Sequence, residues 1–251
     1  MRRAPYTIAL AVLVAAALAV AAPATAEGFR VPPQKRVENI DPGYCGWCAI
    51  ETIAKTRAPY YPGDKNYAKL LTVVEYRKTC LGEPCVKIWT DGSGRREETR
   101  FDPGTTYPSV VRKQLKEFGV TYRDNLPVRE GGTKDFDFLV KACKDRHGAM
   151  VAVQDCLPIS TGSHALAVTD ISDEEEEFAG KDGKTVKDIA VYYYDSNHTQ
   201  GVFRVSKTWF MAAWDGWAVV VIPQGERSSP PAAGPLSQYP YVVGPKAAPG
   251  K

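Results

Sequence analysis

The chain is poor in net charge, in histidine and in long apolar runs. Its 32 Lys and Arg nearly balance 29 Asp and Glu, leaving +3 with His neutral. That balance creates no field of the kind that draws nucleic acid or acidic membranes. Only three histidines occur, His147, His164 and His198, so any imidazole chemistry falls to one of three positions. Outside Ile8–Ala22 no stretch is apolar for long enough to span a bilayer. There is no internal repeat. The acidic run Asp173-Glu174-Glu175-Glu176-Glu177 lacks the glycine-spaced ligands of a known calcium loop and reads as a solvated hairpin tip.

The one long apolar run belongs to an address. Arg2 and Arg3 precede it, Pro23 breaks it, and Ala24-Thr25-Ala26 fits a signal-peptidase site, so residues 1–26 read as a signal peptide cut before Glu27. An exported protein, periplasmic or secreted, is the expectation, with no membrane span after cleavage. Residues 27–222 are long enough for one domain with its own core. Residues 223–251 contain seven prolines and little to bury, and are expected to be a disordered tail.

All six cysteines lie past the signal peptide: Cys45, Cys48, Cys80, Cys85, Cys143 and Cys156. An oxidising compartment permits disulfides, and Cys80 and Cys85 flank a turn that a bridge would close. Sequence does not set the connectivity. A zinc site built on Cys45/Cys48 and Cys80/Cys85 is the rival reading; the second pair has the wrong spacing for CxxC. No metal or organic cofactor is expected.

Prolines 32, 33 and 42 keep residues 27–42 extended. Ile50, Ile53 and Ala54 recur at helical spacing from Cys48 to about Arg57, and further helices are expected over 67–79, 107–118 and 133–146. Strands are expected over 85–89, 120–122, 149–154, 164–171, 189–194, 202–205 and 217–222, with a helical turn at 207–213. Helices first and a meander of strands after make an α+β fold, its helical part packed on an antiparallel sheet.

The chemistry starts at Gly43-Tyr44-Cys45-Gly46-Trp47-Cys48. A thiol on a glycine-flanked turn at a helix start meets the positive end of the dipole, which favours thiolate. Downstream, His164 opens one strand and Asp195 closes another. If the two strands form an antiparallel hairpin, imidazole and carboxylate meet although distant in sequence. A carboxylate so placed fixes the imidazole tautomer and stabilises the imidazolium. His198 reads as a loop residue and His147 as the end of a helix. Trp214 and Trp217 read as core packing at the final strand.

Three motifs carry a resemblance. Cys45-Gly46-Trp47-Cys48-Ala49-Ile50 with Ile53-Ala54-Lys55 resembles the nucleophile helix of papain-like cysteine peptidases, most of all the bacteriocin-processing (double-glycine-leader) group. Gly162-Ser163-His164-Ala165-Leu166-Ala167-Val168 is similar to that family's histidine strand, and Tyr194-Asp195 to its acid-bearing strand end. The resemblance implies a papain-like fold, a peptide or protein substrate, Cys45 as nucleophile, His164 as general base and acid, and Asp195 as orienting residue. Papains also carry a Cys-Gly-x-Cys string whose second cysteine is catalytic, so Cys48 is the rival nucleophile; the register of Ile50, Ile53 and Ala54 suits Cys45 better. The family places a glutamine before the nucleophile as oxyanion donor. This chain has none at that place, and Asn39 is the candidate substitute. Asn197 is a second orienting candidate. Without the glutamine, a catalytically inactive binding module with Cys45 and Cys48 oxidised is the alternative, and a CxxC thiol–disulfide oxidoreductase a further one. Acyl transfer to an amine would use the same groups as hydrolysis.

Overall fold

The computed structural model describes residues 29, 31–39, 43–79, 85–90, 94, 96–101, 108–125, 134–154, 163–180, 183–225 and 241–243. The expected signal peptide lies outside these residues, as do Cys80 and Cys156. Among the described residues no helix is long and apolar enough to cross a membrane.

Helix α1 (Cys45–Arg57) is the centre of the first half. Everything from Gly46 to Ala54 is buried, so it is a core helix enclosed on all sides. Gly43 precedes it with φ 90°, a left-handed conformation that glycine adopts without strain. The helix expected over 67–79 is instead three short pieces: α2 (Lys65–Ala68), a 3-10 turn (Lys69–Thr72) and α3 (Val73–Thr79). Asp64 caps α2 by accepting from Tyr67 N–H at 2.8 Å. Glu51 of α1 accepts from Val74 N–H at 2.8 Å, so a buried carboxylate satisfies an amide in the first turn of α3. Lys55, one turn on, pairs with Glu51 at 2.7 Å.

A small hairpin follows, β1 (Cys85–Thr90) with β2 (Arg96–Phe101); the second strand was not expected. The main sheet takes β3 (Thr121–Asn125), β4 (Ala149–Gln154), β5 (Ser163–Ala179), β6 (Thr185–Asp195), β7 (His198–Ser206), β8 (Trp214–Ile222) and β9 (Tyr241–Val243) in the order β3-β8-β4-β5-β6-β7-β9. Six strands pair antiparallel and β9 adds parallel to β7. Helices α4 (Pro108–Glu117), α5 (Phe136–Lys144) and α6 (Lys207–Ala213) complete an α+β fold.

Alternation along the strands builds two cores. Met150, Ala152, Ala165, Ala167 and Tyr194 face α1, together with Val111 and Leu115 of α4. Val151, Val153, Leu166, Val168 and Tyr193 face the other way, against α5 and α6. The three alanines on the first face let α1 sit close to the sheet. Trp214 and Trp217 are both core residues, as the sequence implies.

Three expectations need correction. The acidic run is no hairpin tip: it lies in the arm of a long β5–β6 hairpin, with register shifts between Val168 and Asp170 and between Ile171 and Glu175. Glu176 is tied there by Arg204 Nε and the Tyr192 hydroxyl, each at 2.6 Å, while Arg204 stacks over Phe178. His198 is no loop residue but opens β7 opposite Asp195, because only Ser196 and Asn197 separate the two strands. Tyr241–Val243, within the segment expected to be a disordered tail, forms a strand: its β-branched valines suit an edge, and the outer side of β7 offers one. Among the described residues of the 27–42 segment, Pro33–Lys35 makes one 3-10 turn.

Candidate active site

Cys45 is the first residue of α1. The first intrahelical bond runs from Cys48 N–H to Tyr44 C=O, so the Cys45, Gly46 and Trp47 amides precede the helical ladder. No acidic residue in the first turn offsets the dipole, and no side chain caps it. The helix start therefore presents positive potential at the half-buried thiol.

The β4–β5–β6 pairing supplies the rest. His164 is the second residue of β5, opposite Val153 of β4. Leu166, two residues on, lies opposite Asp195 at the end of β6. The antiparallel hairpin thus brings His164 Nε2 within 2.8 Å of Asp195 Oδ1. Both side chains are buried, His164 at 6% and Asp195 at 0% exposure. The Asn197 backbone N–H also donates to Asp195 Oδ1, at 2.8 Å, so the Asp-Ser-Asn turn closes on its own carboxylate. With Nε2 committed to Asp195, Nδ1 is the ring nitrogen left for a thiol.

Cys45 is the thiol that acts on His164: each residue is among the causes of the other's shifted titration. Burial pushes the Cys45 thiol up, but the hydrogen bond and charge of His164, with the backbone N–H groups of Ala165 and Gly46, outweigh it and hold the thiol below its ordinary range. Burial likewise pushes His164 down, but Asp195 and Cys45 together raise it to about 9. Both shifts point to one state, a thiolate beside an imidazolium.

The other candidates lie elsewhere. Cys48 is fully buried in the core beneath the helix, with Sγ 3.8 Å from the Glu38 carbonyl; the thiol on His164 is Cys45. Cys45, Cys48 and Cys143 are free thiols. Burial raises the Cys143 thiol well above its ordinary range, which keeps it protonated and inert. Asn39 Nδ2 donates to Asn197 Oδ1 at 3.0 Å. Asn197 therefore contacts Asn39 and the Asp195 carboxylate, while the Asp195 carboxylate meets the imidazole. Among the described residues no group of three His, Cys, Asp or Glu is arranged to hold a metal ion.

Two contributors are hard to read in the sequence. Thr52 Oγ1, inside α1, accepts from Val37 N–H at 3.0 Å, and the Tyr194 hydroxyl donates to the Val37 carbonyl at 3.1 Å. The signal for Thr52 is a hydroxyl seven residues after Cys45 on a helix with no solvent face. Tyr194 gives none, since a tyrosine in an apolar strand is ordinary.

The sequence matches no family model and no curated protein. Among solved structures it is similar to the crystal structure of the peptidase domain of Streptococcus ComA, a bi-functional ABC transporter involved in a quorum-sensing pathway. That likeness has 18% identity and a TM-score of 0.39, over 75% of this chain and 97% of that one.

Proposed function

We propose that this chain is a papain-like cysteine hydrolase that cleaves peptide or other amide bonds and works outside the cytoplasm after loss of residues 1–26. The observation that supports it most directly is the chain of contacts from Cys45 through His164 to Asp195, with a helix N-terminus behind the sulfur.

The steps follow from the positions. The Cys45 thiolate attacks a substrate carbonyl carbon, forming a C–S bond as the carbonyl π pair moves onto oxygen. The Cys45 backbone N–H, ahead of the helical ladder, is the donor at hand for that oxyanion. His164 then gives its proton to the leaving amine as the C–N bond breaks, leaving an acyl-thioester. The neutral imidazole next takes a proton from water, which attacks the thioester and frees the carboxylic acid and the Cys45 thiolate. Asp195 orients the ring and favours the imidazolium.

Iodoacetamide labelling of the folded protein near pH 6.5, followed by peptide mapping, tests the pair. Cys45 is expected to react ahead of Cys48 and Cys143, and His164→Ala to lose that advantage. Equal labelling of every accessible thiol, or labelling of Cys45 indifferent to His164, would remove the basis for hydrolysis.

A further inference from the structure

The hydrogen bonds around the three residues continue into residues 37–39, which cross from α1 to the β6–β7 turn. On the helix side, Val37 N–H donates to Thr52 Oγ1 at 3.0 Å, and the Glu38 carbonyl lies 3.8 Å from Cys48 Sγ. On the sheet side, the Val37 carbonyl accepts the Tyr194 hydroxyl at 3.1 Å. Asn39 then grips the turn twice: its backbone N–H donates to the Ser196 carbonyl at 2.9 Å, and its Nδ2 to Asn197 Oδ1 at 3.0 Å. Asn197 in turn donates its backbone N–H to the Asp195 oxygen that holds His164. Three consecutive residues thereby link the element carrying the sulfur to the turn carrying the acid.

We infer that Asn39 is a positioning residue, which through Asn197 holds the Asp195 turn, and with it the imidazole, in register with the nucleophile helix; this rests on Cys45, His164 and Asp195 being the catalytic groups. The role differs from donation to an oxyanion, for which its place before Cys45 made it a candidate. The physical reason is geometric. Asp195 Oδ1 accepts from both Asn197 N–H and His164 Nε2, so a turn free to move would swing the carboxylate off the ring. A buried imidazole without its carboxylate loses its proton more readily, and the thiolate loses its counter-charge. The charged groups that act on His164 are Asp195 and Cys45. Arg36, Glu38 and Cys48 act on Tyr194, which lines the same crossing.

The pH dependence of Cys45 alkylation by iodoacetamide reads this directly, because alkylation develops no oxyanion. Asn39→Ala and Asn197→Ala are each expected to raise the apparent thiol pKa and slow alkylation on the acid limb of the profile, where the thiol is still mostly protonated, by about 3- to 10-fold, tenfold being one pKa unit. The double variant is expected to be no slower than the slower single variant, since both substitutions break one link. Asn39→Gln, which keeps the amide donor, is expected to restore part of the rate. Thermal melts identify any variant that fails to fold; if Asn39→Ala does, the exposed Asn197→Ala carries the test. A profile identical to wild type in a folded Asn39→Ala protein overturns the assignment. So does unchanged alkylation accompanied by lost peptide hydrolysis, which is the pattern of an oxyanion donor, and so does a double variant slowed by the product of the two single effects. If wild-type Cys45 itself titrates as an ordinary thiol, the cysteine hydrolase reading fails, whatever Asn39 does.

Discussion

A sulfur at position 45 is favoured as thiolate from three directions: the helix start behind it, the His164 imidazole beside it, and the Ala165 and Gly46 amides around it. Asp195 acts one step removed, through the ring. Asp195→Asn keeps size and most geometry but removes the charge that helps hold His164 at about 9. The alkaline limb of Cys45 alkylation is then expected to move down toward the ordinary imidazole range, and hydrolysis of a peptide substrate to fall on the order of 10²- to 10⁴-fold. An unchanged alkaline limb would show that Asp195 does not set the imidazolium. Cys45, His164 and Asp195 are legible in the amino-acid sequence because each stands at the edge of a recognisable element: a glycine-flanked helix start, a strand start, a strand end. Asn39 is legible there as an amide near Cys45, but its partner is not, because Asn197 lies 158 positions away along the chain.

At the scale of elements, α1 works as a buried beam. Ile50 and Ile53 have exposures of 0% and 1%, and small alanines on the sheet allow close contact. Ile50→Ala is expected to cost about 2–5 kcal/mol in urea denaturation, as buried Ile-to-Ala changes do. Thr52→Val removes the acceptor for a buried Val37 N–H and is expected to cost about 1–3 kcal/mol, with Cys45 alkylation slowed as the 37–39 crossing loosens. Helical periodicity locates α1 well because its apolar pattern runs unbroken. It reads residues 67–79 as one helix because Glu51, from a distant part of the chain, satisfies the Val74 amide where α3 starts anew. The charged arm of the β5–β6 hairpin reads as a loop because its stabilising partners, Tyr192 and Arg204, come from neighbouring strands. Among the described residues, strand β9 pairs in the sheet with Val202–Arg204. Truncation after Gly225 is therefore expected to lower the melting temperature modestly and leave Cys45 alkylation at the wild-type rate; a slowed rate would place the C-terminal strand in the site's support.

For the whole molecule, the thiolate–imidazolium pair has a thermodynamic signature. A raised imidazole contributes stability that is complete below its unfolded pKa, about 6.5, and is lost as pH rises through about 9. A depressed thiol contributes stability that is complete above its unfolded value and is lost as pH falls through its folded one. Between the two, the folded pair and the unfolded pair bind the same number of protons, so the opposing slopes cancel. Cys45→Ala removes the thiol slope and leaves the part of the imidazole slope that Asp195 supplies. Its unfolding free energy, relative to wild type, is expected to fall with pH from about 6.5 upward by as much as roughly 1.4 kcal/mol per pH unit, measured by urea titration. A difference flat across that range would mean that Asp195 by itself does not raise the imidazole in the folded state. The kinds of element, their order and the candidate site residues are written in local patterns, because periodicity, caps and turn residues act over a few positions. Which thiol meets the imidazole, which amide holds the acid turn and where the last strand docks are settled by packing, because hydrogen bonds between distant segments depend on where a sheet and a buried helix bring them, and no local pattern encodes that distance.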